Sequence, residues 1–390
     1  MTTTKTAAMA VAALVCAQGA RAAEPAQEAP RPDAVKAQSI ADELAQPDWA
    51  RAADLTIPLR FSGYFWNDTG YLIRKNANDK AGQPNQDSAY MTGRFVLGAA
   101  YSRQFGGLSA IAKVELLGLV NEFTKSAYEP HTLDAYVKIG TKTWDFQIGR
   151  FLAWEVYYRG QGIELYTAEE AGALAAPTLY LLDYTRGLMN EQGQAAVHWF
   201  PSDLVSFELA GVYGQSSSNN YFGGRPALDV KWNGLELIAG AELLRQAPQT
   251  SADKLNVTSR GYAGRLQYSL PTVTFGVDAA QTSVDFTGSD ELVDTSKTYD
   301  KTSFGAFVDV DFWKNSIGLG YHHTSQINRR GEHFTNNQAF VSYLVRLPIE
   351  GLSVKAVYGY ARAHLEDIDA NSQWENYLNS FRLRLLYEFH

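Results

Sequence analysis

Residues 377–389 read Tyr-Leu-Asn-Ser-Phe-Arg-Leu-Arg-Leu-Leu-Tyr-Glu-Phe, and this stretch decides the fold. Phe381, Leu383, Leu385, Tyr387 and Phe389 interleave with Ser380, Arg382, Arg384 and Glu388. A period of two belongs to a β-strand with one apolar and one polar face. Working back along the chain, the same pattern occupies 59–66, 93–103, 110–122, 133–140, 144–149, 193–200, 205–213, 227–232, 235–245 and 261–268. It continues through 273–286, 303–312, 316–325, 339–347 and 352–364. With 377–389 this predicts sixteen strands, each close to the length that crosses a bilayer at a tilt.

The connections alternate strictly between short and long. The short ones are 104–107, 141–143, 201–203, 233–234, 270–272, 313–315 and 348–351. All but 141–143 contain Gly, Pro, Asn or Asp, the residues that tight turns demand, and that one follows Gly140 directly. The long ones are polar and fall at 67–89, 123–130, 151–192, 215–225, 246–258, 287–302, 326–337 and 366–375. Seven tight turns and eight long loops suit a sixteen-stranded meander with both ends on the same side. A soluble β-sandwich has no reason for this rhythm.

Face chemistry decides which solvent the barrel meets. Val205, Phe207, Leu209, Gly211 and Tyr213 form an uncharged face, against Ser206 and Glu208 on the other. A sixteen-stranded tube has too few side chains to fill its own middle, so in water the apolar face would find nothing to pack on. In lipid the assignment inverts, with apolar residues outward and polar residues inward. Tyr101, Trp144, Trp199, Trp232, Tyr268, Phe312 and Phe389 all fall beside the short turns or the C-terminus. There they predict one interfacial girdle. The fold class is therefore an all-β, closed antiparallel transmembrane barrel.

Composition removes the competing classes. The formal charge is −8, from 34 basic and 42 acidic residues, so the basic footprint of a nucleic-acid binder is absent. Aromatics at 13% and charged residues at 19% argue against disorder. No apolar run reaches the roughly 20 residues of a spanning helix. The first 22 residues read as a signal peptide: a weakly basic start, an apolar stretch over 6–19, and Ala20-Arg21-Ala22 before the cut. A lipid anchor at Cys16 is disfavoured by the bulky Val15. Cleavage there removes Lys5, Arg21 and the single cysteine, leaving a thiol-free chain of charge −10. Residues 23–56 read as a periplasmic linker with a short helix from Asp33 to about Ala45, and the barrel occupies 57–390.

Signal peptide, sixteen strands, short turns and an aromatic final strand together resemble the trimeric porins of Gram-negative outer membranes. The resemblance covers about 57–390 and is architectural, with no motif tying it to one subfamily. It implies location in outer-membrane lipid with the N-terminus periplasmic, a homotrimer, and passage of small hydrophilic solutes and ions. It also implies a C-terminal aromatic signal read by the barrel assembly machinery. Tyr387 and Phe389 fit that signal, although His390 follows them. Finally, it implies that the third long connection folds into the lumen. That connection, 151–192, is the longest here.

Alternation points Arg60, Arg94, Lys113, Arg346, Lys355, Arg382 and Arg384 inward, on strands that become neighbours when the barrel closes. The third long connection carries Glu155, Glu164, Glu169, Glu170 and Asp183, with Glu191 at its end, against Arg159 and Arg186. Folded inward, it sets an acidic constriction against a basic wall, and the resemblance implies a transverse field there. The bland reading is that these charges only keep the lumen wet. Inward Glu208, Asp229, Glu236, Glu242, Asp278, Asp309 and Asp311, with few partners beyond Lys231 and Arg265, predict a mild cation preference.

No enzymatic constellation stands out, and neither cofactor nor metal is expected. His322-His323 cannot share one ion, because adjacent strand residues face opposite ways. His198, His364 and His390 are scattered, and His364 with Glu366 and Asp367 reads as a solvated rim loop. Gly149-Arg150 reads as the hinge that releases the third long connection. Two main functions remain: a passive diffusion porin, or a channel selective for anions or sugars that uses the arginine wall. Inward Tyr64, Trp66 and Tyr136 bear modestly on the second. A barrel sheltering a partner protein is a third. Gly93, Ala99, Ala110, Ala112 and Gly118 on the outward faces of strands two and three would permit close subunit approach.

Overall fold

The computed structural model describes residues 59–76, 86–121, 131–153, 192–215, 219–248, 256–287, 298–329, 331–367 and 372–389. The signal peptide, the 23–56 lead-in and most of the 151–192 connection lie outside them. The strands are β1 (Leu59–Asn76), β2 (Gln86–Phe105), β3 (Leu108–Asn121), β4 (His131–Gly140), β5 (Trp144–Arg150) and β6 (Gln192–Ser202). Then come β7 (Val205–Gln215), β8 (Asn219–Trp232), β9 (Leu235–Pro248), β10 (Asn256–Ser269) and β11 (Val273–Thr287). The last five are β12 (Tyr299–Phe312), β13 (Asn315–Asn328), β14 (His333–Arg346), β15 (Leu352–Asp367) and β16 (Ser372–Phe389). Each pairs antiparallel with its chain neighbour, and β1 closes on β16 from Gly63 opposite Phe389 to Asn76 opposite Asn376. All sixteen expected strands are present.

The short turns fall where turn chemistry placed them. Between β8 and β9, Asn233 and Gly234 both have positive φ, 48° and 83°. That is the primed two-residue hairpin whose twist matches its strands. The strands run past the expected bounds mainly at the opposite, long-loop end. β1 continues through Asp68 and Gly70 to Asn76, and β8 begins at Asn219 where a loop was expected. Pro226 explains how β8 tolerates its loop-like start. Its pairing with β7 is intact, and on the β9 side the register is kept from Gly224–Leu243 to Ala227–Gly240 while the pairs at 225 and 226 drop out. The missing N–H therefore falls where the ladder is already interrupted.

Outward positions are apolar and exposed: Leu209, Tyr213, Phe222, Leu243 and Trp232 stand out from the wall. Their neighbours in alternation, Glu208, Val212, Glu242 and Leu244, are buried inward. This is a transmembrane barrel, in which the closed ladder satisfies every strand and the lipid takes the apolar face. Aromatics gather beside the short turns as expected, with Trp199 stacked on Phe207 at 5.4 Å and Tyr387 on Phe389 at 6.2 Å. One expectation is corrected. The inner face is not uniformly polar, since Leu72, Ala361 and Leu378 cluster there, as do Val212, Tyr221 and Leu244. The concave side of a curved sheet brings inward side chains together, so they bury one another along the wall.

Candidate functional site

The inner wall carries the charges. Register sets Asp68 of β1 opposite Arg384 of β16, with Gly70 opposite Arg382. Arg384 donates from Nε to Asp68 Oδ1 at 2.6 Å and from Nη2 to Oδ2 at 2.6 Å. This bidentate fork is the strong form of the ion pair. Arg382 Nη1 lies 3.5 Å from the same carboxylate, and its Nε donates to the Tyr90 hydroxyl at 2.8 Å. The Arg384 guanidinium sits 4.2 Å over the Trp66 ring, with Arg94 at 5.8 Å from that ring and 3.5 Å from the Tyr64 hydroxyl. Two guanidiniums thus share one carboxylate, and Arg94 joins Arg384 at the Trp66 ring.

The other expected basic residues are also inward but not bare. Lys113 is buried between Glu115 at 2.6 Å and Asp134 at 3.4 Å. Arg346 reaches Asp311 at 3.4 Å, Lys355 stands opposite Arg384 in register, and Arg60 is exposed near the short-turn end. Asp68, Glu115, Asp134 and Asp311 supply counter-charge within this basic wall. Burying a charge without a partner costs several kcal/mol, about 3–5 when one member of a pair is removed. That cost is why these acids accompany the cations.

A further reading changes. His198 is not isolated. Its Nδ1 is 2.5 Å from Asp145 Oδ1 and its Nε2 is 2.8 Å from Glu208 Oε2. Arg225, fully buried, donates from Nε to Glu208 Oε1 at 2.9 Å and from Nη1 to Gln194 Oε1. Gln194 in turn donates to the Phe151 carbonyl at 2.5 Å, and Arg225 lies 5.7 Å over the Phe151 ring. This chain ties the residues just after β5 to β6, β7 and β8. Among the inward acids of strands seven to twelve, Glu208 has Arg225 and His198 as partners beyond the expected Lys231 and Arg265. Lys231 reaches Asp229 at 3.1 Å and Glu236 at 3.2 Å, and Arg265 donates to Asp278 at 2.9 Å.

His322 faces inward, with Nδ1 3.8 Å from Asp278 Oδ1, whereas His323 faces outward and meets Asn337 at 2.9 Å. Alternation therefore separates the two, as expected. His364, Glu366 and Asp367 belong to β15 rather than to a rim loop. Among the described residues no group of three or more His, Cys, Asp or Glu is placed to hold a metal ion. Gly149 has φ 135°, where a Cβ would run into the Ala135 carbonyl oxygen, which is why the chain can bend away after β5. The acidic residues Glu155, Glu164, Glu169, Glu170 and Asp183 lie outside the described residues. Sequence reasoning missed Asp68, Arg225 and Gln194; a polar residue at the expected inward parity was the only available signal.

No protein-family model matches the chain, and no curated protein matches it. Solved structures do. The anion-selective porin from Comamonas acidovorans superposes with a TM-score of 0.56 at 11% identity, covering 85% of this chain and 99% of that one. The outer membrane channel DcaP of Acinetobacter baumannii gives 0.56 at 13% identity, over 85% and 97%. The trimer form of OmpT, an outer membrane protein of Vibrio cholerae, gives 0.55 at 12% identity, over 85% and 100%. At these identities the likeness establishes the fold: a closed sixteen-stranded barrel of the outer-membrane porin type.

Proposed function

We propose that the protein is an outer-membrane porin, a water-filled channel for passive diffusion of small hydrophilic solutes and ions. One observation carries this reading: a closed barrel with an apolar exposed exterior and an inner wall lined by compensated ion pairs. Such a wall satisfies its charges with one another rather than committing them to one ligand, and no cofactor or enzymatic step is called on. We assign residues 1–22 to a cleaved signal and 23–56 to the periplasm. The last strand, through Tyr387 and Phe389, is assigned to recognition by the assembly machinery. Copies would meet as a homotrimer through the small outward residues of β2 and β3. The test is conductance in planar bilayers. Large ohmic currents are expected, and no current from a folded barrel would refute the channel.

A second reading is favoured by one cluster. Arg94, Arg382 and Arg384 outnumber Asp68 and lie over the Trp66 and Tyr90 rings. A rung of this kind suits an anionic solute, which would block the current at concentrations where neutral sugars do not. The acidic 151–192 connection is proposed, from its sequence, as the constriction facing this rung.

A further inference from the structure

The outer surface carries a groove of about 770 Å³ across β5 to β9. Its floor is Ala195, Gly211 and Gly224, its walls include Leu209, Phe222 and Leu243, and the one charged residue lining it is Arg245. The barrel's own packing does not require the floor to be empty. A Cβ on Gly211 would meet nothing nearer than the Gly223 carbonyl oxygen at 3.9 Å, and one on Gly224 nothing nearer than the Ala210 carbonyl oxygen at 3.6 Å. By contrast, the inward Gly276 and Gly320 lie under the Phe307 and Phe340 rings. Glycine inside a strand weakens it and often marks close approach by another molecule.

Depth fixes what that molecule meets. Phe222 lies ten residues along β8 from girdle residue Trp232, and a strand rising about 3.3 Å per residue at a tilt of about 40° climbs roughly 25 Å over that distance. This is the height of a barrel's apolar band, so Phe222, and Arg245 opposite it in register, mark the far interface. The same level holds Thr258, opposite Arg245, with Arg260 and Asp285 diagonal to each other beside it. Arg260 lies 3.5 Å and Arg329 3.1 Å from the single Asp285 carboxylate. Arg245 makes no ion pair with a described residue. Among the described residues three exposed guanidiniums, Arg245, Arg260 and Arg329, therefore stand beside the apolar groove with two outward carboxylates, Asp285 and Asp300. Asp300 accepts from Ser283, opposite Arg260.

We propose that the groove holds an acyl chain of a phosphate-bearing, multiply acylated lipid of the leaflet on the long-loop side, with Arg245 and Arg260 taking its phosphate. Charge complementarity argues for this occupant: an apolar tail fills the open floor, while the phosphate meets Arg245, which forms no ion pair with a described residue, and Arg260, which shares Asp285 with Arg329. The proposal rests on the barrel lying in a membrane as described above.

Native mass spectrometry of the detergent-purified barrel, checked as folded by heat-modifiable migration, tests it. The probes are diphosphorylated lipid A, the same lipid with its phosphates removed, and inorganic phosphate. Diphosphorylated lipid A is expected to bind, and the dephosphorylated form about tenfold more weakly. Arg245→Gln with Arg260→Gln, and separately Gly224→Leu, should each weaken the phosphorylated lipid by a similar factor. Inorganic phosphate in excess should not displace it. Wild-type affinity in both variants, equal binding of the phosphate-free lipid, or displacement by inorganic phosphate would each overturn the proposal. So would a Gly224→Leu barrel that keeps the lipid but loses an oligomer, which would assign the groove to a second copy. Conductance on the same preparations separates the two readings. A barrel that binds lipid but passes no current refutes the channel alone, and one that conducts but binds no lipid refutes this site alone.

Discussion

At the scale of single residues, Asp68 is a heavily constrained acid of the inner wall, since two arginines point at one buried carboxylate. Asp68→Asn should destabilise the barrel by about 3–5 kcal/mol, because it strands buried guanidinium charge. Heat-modifiable migration should then be lost at a lower temperature, and the reversal potential should shift toward anions. Glu208→Gln should cost a similar amount, as it leaves Arg225 and His198 without their shared carboxylate. Adding Arg225→Met should recover part of that loss, and a double-mutant cycle on denaturation midpoints measures the coupling. The sequence made these residues legible only as inward parities. His198 and Asp145 are 53 positions apart, so their meeting depends on a register that alternation alone does not state. Arg225 stayed hidden because Gly223, Gly224 and Pro226 around it read as a loop, and only the broken β8–β9 ladder shows why they can be a strand.

At the scale of elements, Gly149 is the position where backbone conformation and crowding coincide. Gly149→Ala should cost about 1–3 kcal/mol in local strain, because neither the positive φ nor the Ala135 carbonyl leaves room for a methyl group. The fraction of protein refolding to the heat-modifiable form reads that loss, and the same change at the open Gly224 should leave it intact. Strand number and order were legible because the bilayer imposes alternation on every crossing and the tight turns admit few residue types. Strand ends at the long-loop side were not. Lys75 of β1 and Arg362 of β15 lie beyond the apolar band, where both faces of a strand meet water. There alternation vanishes while the backbone ladder continues.

At the scale of the whole molecule, the charge arrangement should show in selectivity. If the 151–192 connection lines the path, changing Glu164, Glu169 and Glu170 to Gln should shift the reversal potential toward anions. The shift should shrink as salt rises, since a charge acts over only about 8 Å at physiological ionic strength. Wild-type potentials at low salt would remove that connection from the path. Assembly should show as a trimeric mass in mild detergent, which a bulky Ala112→Trp on the outward face of β3 should reduce to monomer. The closure of the barrel has a mechanical corollary. The seam between β1 and β16 is bonded from Gly63 to Asn76, whereas β5 has only seven residues, held to β6 from Trp144 opposite Trp199 to Gly149 opposite Gln194. A pulling force divides among the bonds that carry it in parallel, so the joint between the first and last strands is among the toughest, and the wall should tear first along β5.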